Sequence, residues 1–478
     1  MRYWIYLRHL YKKRQGSNCP CQELKAHRLS ERRRNLRSPL GICLAILFVA
    51  LLFLLVSVTL NVYAQQSTQT EWYKTFPIYK EELLNSFIPT SDGGYAFAGT
   101  ASVSQSATNF WLVKIDSEGN IQWSNVYPEA GDDAGVNSLV QASDGGYLLV
   151  GTEMPSGGAS RIVLVKTDSS GNLLWNTTVN SGYSFNTISS LAKTKDGDYV
   201  IAGVGDNGVS SNVGWLIETD LNGNIVWEQT YGTLIPNAVI PTKAGDFAVA
   251  AFEAGTMPNV LMEVNSGGSL LWKQSYSQTE TVGIVESLVQ TTDGGFAMAG
   301  DSLNGGVAFL VETDANGNFQ WEQTFDQYKP TVSIKTLVQT SDEGYALGGA
   351  TVASASNPRS YAFLLKTDSK GNLEWTQTYA QSYTTEVAGL TQNSEGFALA
   401  GFQTGPSSLN TAWVIQTDAN GNAPASPSSA TQSASATPTA TQSGSTSSTP
   451  NIPEFPTAMA IIVLFTLATT MMLYLRKK

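Results

Sequence analysis

Apolar residues in the middle of this chain come in short runs of five to seven, rich in Val, Ile, Leu, Phe and Thr and bounded by Gly, Asp and Asn. Runs of that length and composition predict strands rather than helices. The stretch from 138 to 178 holds four of them: Ser138–Gln141, Tyr147–Gly151, Ile162–Thr167 and Leu173–Thr178. Asp-Gly-Gly joins the first two and Ser-Gly-Asn the last two. Both suit tight hairpins, because Gly and Asn tolerate positive φ.

The same unit recurs. Asp-Gly-Gly-Tyr or a variant of it begins at Asp92, Asp144, Asp196, Ala244, Asp293, Asp342 and Ser394, spaced 52, 52, 48, 49, 49 and 52 residues apart. A second signature, Asp-x-x-Gly-Asn-x-x-Trp, runs from Asp116 to Trp123, and again from Asp168, Asp220, Asp314 and Asp368, with a degenerate copy at Asn265–Trp272. Four antiparallel strands per repeat, seven times over, predict an all-β, seven-bladed β-propeller of four-stranded blades. The seventh copy, Asp418–Asn422, ends without its Trp strand. That strand's pattern occurs instead ahead of the first copy, at Glu71–Phe76, matching Trp227–Tyr231 and Trp375–Tyr379. Residues 71–76 are therefore expected to complete blade seven and close the ring, which would otherwise expose an unpaired edge.

The Gly-Asn-x-x-Trp segment resembles the Gly-x-x-x-Trp of pyrroloquinoline-quinone-type propeller repeats, with a turn one residue shorter. It is also similar to the Asp-box of sialidase propellers, again one residue out of step. The resemblance spans 71–422 and implies the fold. It implies no activity, for the vicinal cysteines of the quinone enzymes are missing and no sialidase arginine triad can be assigned. Each repeated Trp is expected to pack as core between neighbouring blades, and each repeated Asp to order its own turn. Calcium at Asp314–Asn318 or Asp418–Asn422 would lack the EF-hand spacing and its distal Glu.

The ends read differently. Residues 1–40 carry eleven Lys/Arg against two Asp/Glu, and the run from Gly41 to Leu60 is almost continuously apolar. About 20 such residues span a hydrocarbon core of roughly 30 Å. The basic flank places residues 1–40 in the cytoplasm, and 41–64 is expected to be a transmembrane or signal-anchor helix. Val62-Tyr63-Ala64 offers a signal-peptidase site, so a retained anchor and cleavage after Ala64 both stay open. Residues 423–456 are mostly Ser, Thr, Ala, Pro, Gln and Gly, a stalk that cannot bury a core. Residues 457–478 form a second apolar segment closed by Arg476-Lys477-Lys478. Pro453-Glu454-Phe455, the helix and the basic cluster together resemble the PEF-type C-terminal sorting signals of archaeal surface proteins. The resemblance implies processing by an archaeosortase-like transpeptidase and lipid attachment; a plain membrane anchor is the alternative. Either way, the propeller, 65–422, is expected outside the cell membrane, at the cell surface.

Charge and rare residues narrow the chemistry. The segment between the basic ends carries a net charge of −23, which argues against nucleic acid as a partner. All three cysteines precede residue 44, and the two histidines are His9 and His27. The propeller thus offers no thiol nucleophile, no Ser-His-Asp triad and no His-ligated zinc. Cys19-x-Cys21 with His27 lacks the spacing of a metal knuckle. No catalytic, cofactor-binding or metal residues are assigned.

The signature turns share one end of the blades. The connections at the opposite end vary, among them 101–109, 155–160, 205–213 and 352–360 within blades and 128–136, 180–186, 279–283 and 381–385 between them. Variable loops on a rigid scaffold are where ligands are expected. Glu129, Asp132 and Asp133, with Tyr183, Tyr328 and Tyr383, have the chemistry to hold sugars or cations, and equally that of solvated charge and loop packing. Asn176-Thr177-Thr178 is a glycosylation sequon on an outer strand. The leading expectation is a non-enzymatic binding or adhesion module for a protein, a glycan or the envelope. The alternatives are an exported carboxylate-dependent glycan hydrolase or lyase, and a structural envelope-layer component.

Overall fold

A computed structural model describes residues 71–429 apart from short stretches, the longest being 352–358. The two apolar segments, most of the stalk and the sorting motif lie outside the described residues, as do Glu129, Asp132, Tyr328 and Tyr383. Blade one is formed by Glu82–Pro89, Tyr95–Ser102, Thr108–Ile115 and Ile121–Tyr127, hydrogen-bonded in chain order. Blade two follows with Ala134–Gln141, Tyr147–Glu153, Arg161–Thr167 and Leu173–Val179, each expected strand lengthened at one or both ends. Seven sheets of this kind form. Their first strands neighbour one another from blade to blade, and Thr384–Gln392 of blade seven returns to Glu82–Pro89 of blade one.

Closure occurs as expected. Trp72–Phe76 pairs antiparallel with Asn410–Gln416, Trp72 opposite Gln416 and Phe76 opposite Ala412. A fifth strand was not legible beforehand: Ser428 and Ser429 run parallel to Lys74 and Thr75 on the outer edge of the same blade.

The core lies between blades rather than within them. One cluster joins Leu148, Val150 and Leu164 of blade two to Ile188, Tyr199 and Trp215 of blade three. At the closing seam Phe76, Ala400 and Val414 meet Leu84, Phe97 and Trp111. The second and third strands are covered on both faces, so they read as continuous apolar runs such as Phe110-Trp111-Leu112-Val113, all fully buried. Burying one such side chain contributes about 1.5–3 kcal/mol.

The signature tryptophans hold every seam, but from the rim. A Cβ added to Gly119 would stand 2.7 Å from the Trp72 ring, one on Gly171 2.6 Å from Trp123, and one on Gly421 2.6 Å from Trp375. The pattern is complete: Trp175 lies over Gly223, Trp227 over Gly268, Trp272 over Gly317 and Trp321 over Gly371. The same rings meet the aromatic that opens the next blade's second strand, as in Trp123 with Tyr147 at 5.7 Å and Trp321 with Tyr345 at 6.0 Å. Packing between blades is borne out. Placement in the core is corrected, because these side chains, Trp175 included, are half-buried on the outer strands. Among the described residues the fully buried tryptophans are Trp111, Trp215 and Trp413 of the third strands.

Candidate interaction surfaces

The end bearing the signature turns, the motif face, spends most of its polar groups on bonds within and between its own turns. Asp116 Oδ1 accepts the backbone N–H groups of Glu118 and Asn120, and its Oδ2 accepts the Asn120 side chain. The same clasp recurs at Asp168, Asp220, Asp314, Asp368 and Asp418. The first signature's Asp is held otherwise. Asp92 Oδ2 lies 2.9 Å from the buried Lys114 ammonium, and its Oδ1 accepts from Thr90 and from Gly94 N–H. Burial alone would raise its pKa, yet the bonds from Thr90 and Lys114 win and hold it at about 2. Glutamines then tie turn to turn: Gln141, Gln290, Gln339 and Gln392 each accept a turn N–H of the preceding blade, from Ser91, Lys243, Thr292 and Ser341.

The innermost strands carry a feature that sequence reading missed. Each slips register once, and the extra residues are Asn85, Asn137, Ser189, Asn237, Glu286, Lys335 and Ala388. A bulge kinks the strand and leaves the extra residue unpaired in the ladder. Here the freed side chains reach the next blade: Asn85 donates to Val136 O at 2.7 Å, Asn137 to Ile188 O and Asn237 to Val285 O. Lys335 instead pairs with Glu286 at 3.4 Å. The Asn or Ser that recurs midway along the first strands of blades one to five is the signal that could have found most of this ring.

The opposite, loop face shares no such scheme. Glu82 is fully buried at the start of blade one, and its carboxylate accepts the N–H groups of Ile78 and Tyr79 at 2.6 and 2.5 Å. Burial pushes it up to about 7 against the pull of those bonds. In blade three, Asn186 donates its N–H to Ser160 Oγ and accepts from Ser181 Oγ. Asp301 accepts Ile334 N–H of the next blade, and burial lifts it to about 6 with Glu286 adding to the shift. Tyr183, a candidate ligand residue, packs over Gly205 and joins the core cluster between blades two and three. Asp133 takes a left-handed conformation, φ 52°, and its carbonyl accepts Met154 N–H. Asn176 is exposed on the outer strand, as the sequon requires. A hollow of about 140 Å³ opens where blade six meets the closing blade, lined by Tyr73, Gln377, Tyr379 and Asn422 among others. Among the described residues no three His, Cys, Asp or Glu side chains gather to hold a metal ion.

Comparison with known proteins adds one family. Residues 168–393 match the model described as outer membrane protein assembly factor BamB. No curated protein matches the chain. Among solved structures, YCF48 from Cyanidioschyzon merolae is similar over 72% of this chain and 99% of its own, at 10% identity and a TM-score of 0.45. The Dos1 propeller is similar over 72% and 95%, at 12% identity and a TM-score of 0.42.

Proposed function

We propose that this protein is a surface-held interaction scaffold whose loop face binds a protein or glycan of the cell envelope. One observation carries the reading: the motif face repeats one set of turn and seam bonds around the ring, Glu218 and Thr194 of blade three aside, while the loop-face connections differ in length and sequence from blade to blade. A rigid ring with one variable end is suited to recognition. The partial BamB match supports an envelope setting and a role in protein assembly, by analogy alone. The basic leader, the two apolar segments and the PEF-type tail support anchorage at the membrane with the propeller outward.

The test is a pull-down from envelope extract together with a glycan array, both using the full chain in detergent. A partner should be captured, and replacing 352–358 or 207–211 with Gly-Ser of equal length should release it. Capture that survives every loop replacement would move the site elsewhere.

A carboxylate hydrolase keeps one observation in its favour. Asp301, lifted to about 6, is within electrostatic reach of Glu286 on the innermost strand, and acid–base glycosidases need only two such groups. Glycan turnover abolished by Asp301→Asn would favour this second reading.

A further inference from the structure

The third-strand residue that pairs with the second residue of each second strand lies beside the first-signature turn, and its identity varies. It is Lys114, Lys166 and Lys366 in blades one, two and six, Glu218, Glu263 and Glu312 in blades three to five, and Gln416 in blade seven. Register makes the positions equivalent, since Lys114 lies opposite Ala96 as Glu218 lies opposite Val200. Each lysine ammonium sits between the turn's Asp and the next residue's carbonyl. Lys166 Nζ is 2.7 Å from Asp144 and 2.9 Å from Thr167 O, and Lys366 Nζ is 2.9 Å from Asp342 and 2.7 Å from Thr367 O.

Most other blades replace this cation from within. In blade seven, Gln416 Nε2 donates to Thr417 O at 3.0 Å, and a neutral Asn393 takes the acid's place. In blade five, Glu312 accepts the Tyr345 hydroxyl, and Lys243 of blade four reaches over to the carbonyls beside Asp293. Blade four has Ala244 in place of the Asp, and Glu263 accepts Trp272 Nε1 at 2.6 Å.

Blade three is different. Its turn reads Asp196-Gly197-Asp198, so three carboxylates with Glu218 stand where blades one, two and six hold an ion pair. Glu218 is 9% exposed and accepts a hydrogen bond from the Trp227 side chain, but its Oε2 has no partner; Asp198 accepts the Leu221 N–H. Thr194 Oγ1, whose counterparts Thr90, Thr291 and Thr340 donate to their turn's Asp, also has none. The nearby lysines face other groups: Lys193 donates to Gln141 O, and the Lys195 stem runs toward Gly245 of blade four. Asp196 is exposed, so the site opens to solvent.

We propose that Asp196, Asp198 and Glu218 form a binding site for a primary ammonium group, taking from outside the group that lysine supplies in blades one, two and six. The carboxylates are not gathered tightly enough to enclose a metal ion. An ammonium asks less, needing acceptors on two or three sides at hydrogen-bond distance. A lysine side chain of a docked protein and a free polyamine share this chemistry.

Calorimetric titration of the detergent-solubilised full chain with 1,5-diaminopentane and with Nα-acetyl-lysinamide tests the site, with calcium as the control. At least one amine should bind saturably; binding of the diamine alone points to polyamines, binding of both to lysine as well. Asp196→Asn should weaken binding about tenfold, the worth of one charge-assisted bond. Glu218→Lys installs the residue that three blades already carry, and should abolish amine binding while raising the melting temperature. The proposal is overturned by absence of saturable amine binding, by binding that persists in Glu218→Lys, by a lowered melting temperature in that variant, or by calcium displacing the amine at equal concentration.

Discussion

The two ends of the ring are built from the same strands and obey different rules. At the motif face each blade repeats one solution: an Asp, or Asn265 in blade four, clasping its turn, a glycine at positive φ, and a tryptophan from the neighbour laid over it. At the loop face the bonding groups differ among the described residues, with Glu82 in blade one, Asn186 in blade three and Asp301 in blade five. The difference teaches where stability and recognition reside. Repetition is required where blades must lock, because any one weak seam opens the ring. It is not required at the other end, where each connection needs only to satisfy its own backbone.

Breaking the motif face at the closing seam should cost most. Deletion of 65–78 removes Phe76, which is fully buried, and Trp72 from the rim. A sharp fall in melting temperature, or failure to fold, is expected by circular dichroism. An unchanged melt would mean that blade seven stands without its fourth strand. Next comes Trp123→Ala, which should cost about 2–3 kcal/mol in denaturant titration, below the value for a fully enclosed tryptophan because the ring is half-buried. Gly171→Ala should follow at about 1–3 kcal/mol, since φ is 78° and the new methyl would meet the Trp123 ring.

At the loop face the effects should change in kind. Glu82 has a folded pKa of about 7 against an ordinary 4.5, so the folded state holds its proton more tightly. Stability should therefore be full below about pH 4.5 for this group and fall as pH rises toward 7, the unfolded chain being ionised first. Melts between pH 4.5 and 8 should show that decline, and Glu82→Gln should flatten it. A decline of equal slope in the variant would assign it to other groups. Smallest of all, Gly-Ser replacement of 352–358 should shift stability by less than about 0.5 kcal/mol. A larger loss would erase the distinction between the two ends.

Much of this was legible in the residues because a repeat is read seven times. The Asp-Gly-Gly and Gly-Asn turns, the strand runs between them and the orphan strand at 71–76 gave blade count and closure together. Reading failed where the same letters serve different neighbours. The signature Trp looked like core, since nothing local distinguishes a residue buried within a blade from one laid over the next blade's turn. The bulges at Asn85, Asn137 and Asn237 were missed because the break they put in the alternation, buried positions two apart before the slip and three apart across it, spans too few residues to be told from an irregular strand. The lysine-or-glutamate position at 114, 166, 218 and 366 passed for ordinary strand polarity until the register set it beside the turn.

The sequence by itself determined the number of blades, the turns that separate their strands and the strand that closes them, since hairpin chemistry and strand period are local. The tertiary structure alone decided which groups face one another across a seam. That pairing depends on register and on the angle between consecutive blades, neither of which any single repeat contains. Blade three's cluster of carboxylates becomes visible only there, by contrast with the three blades that carry a lysine at the same point.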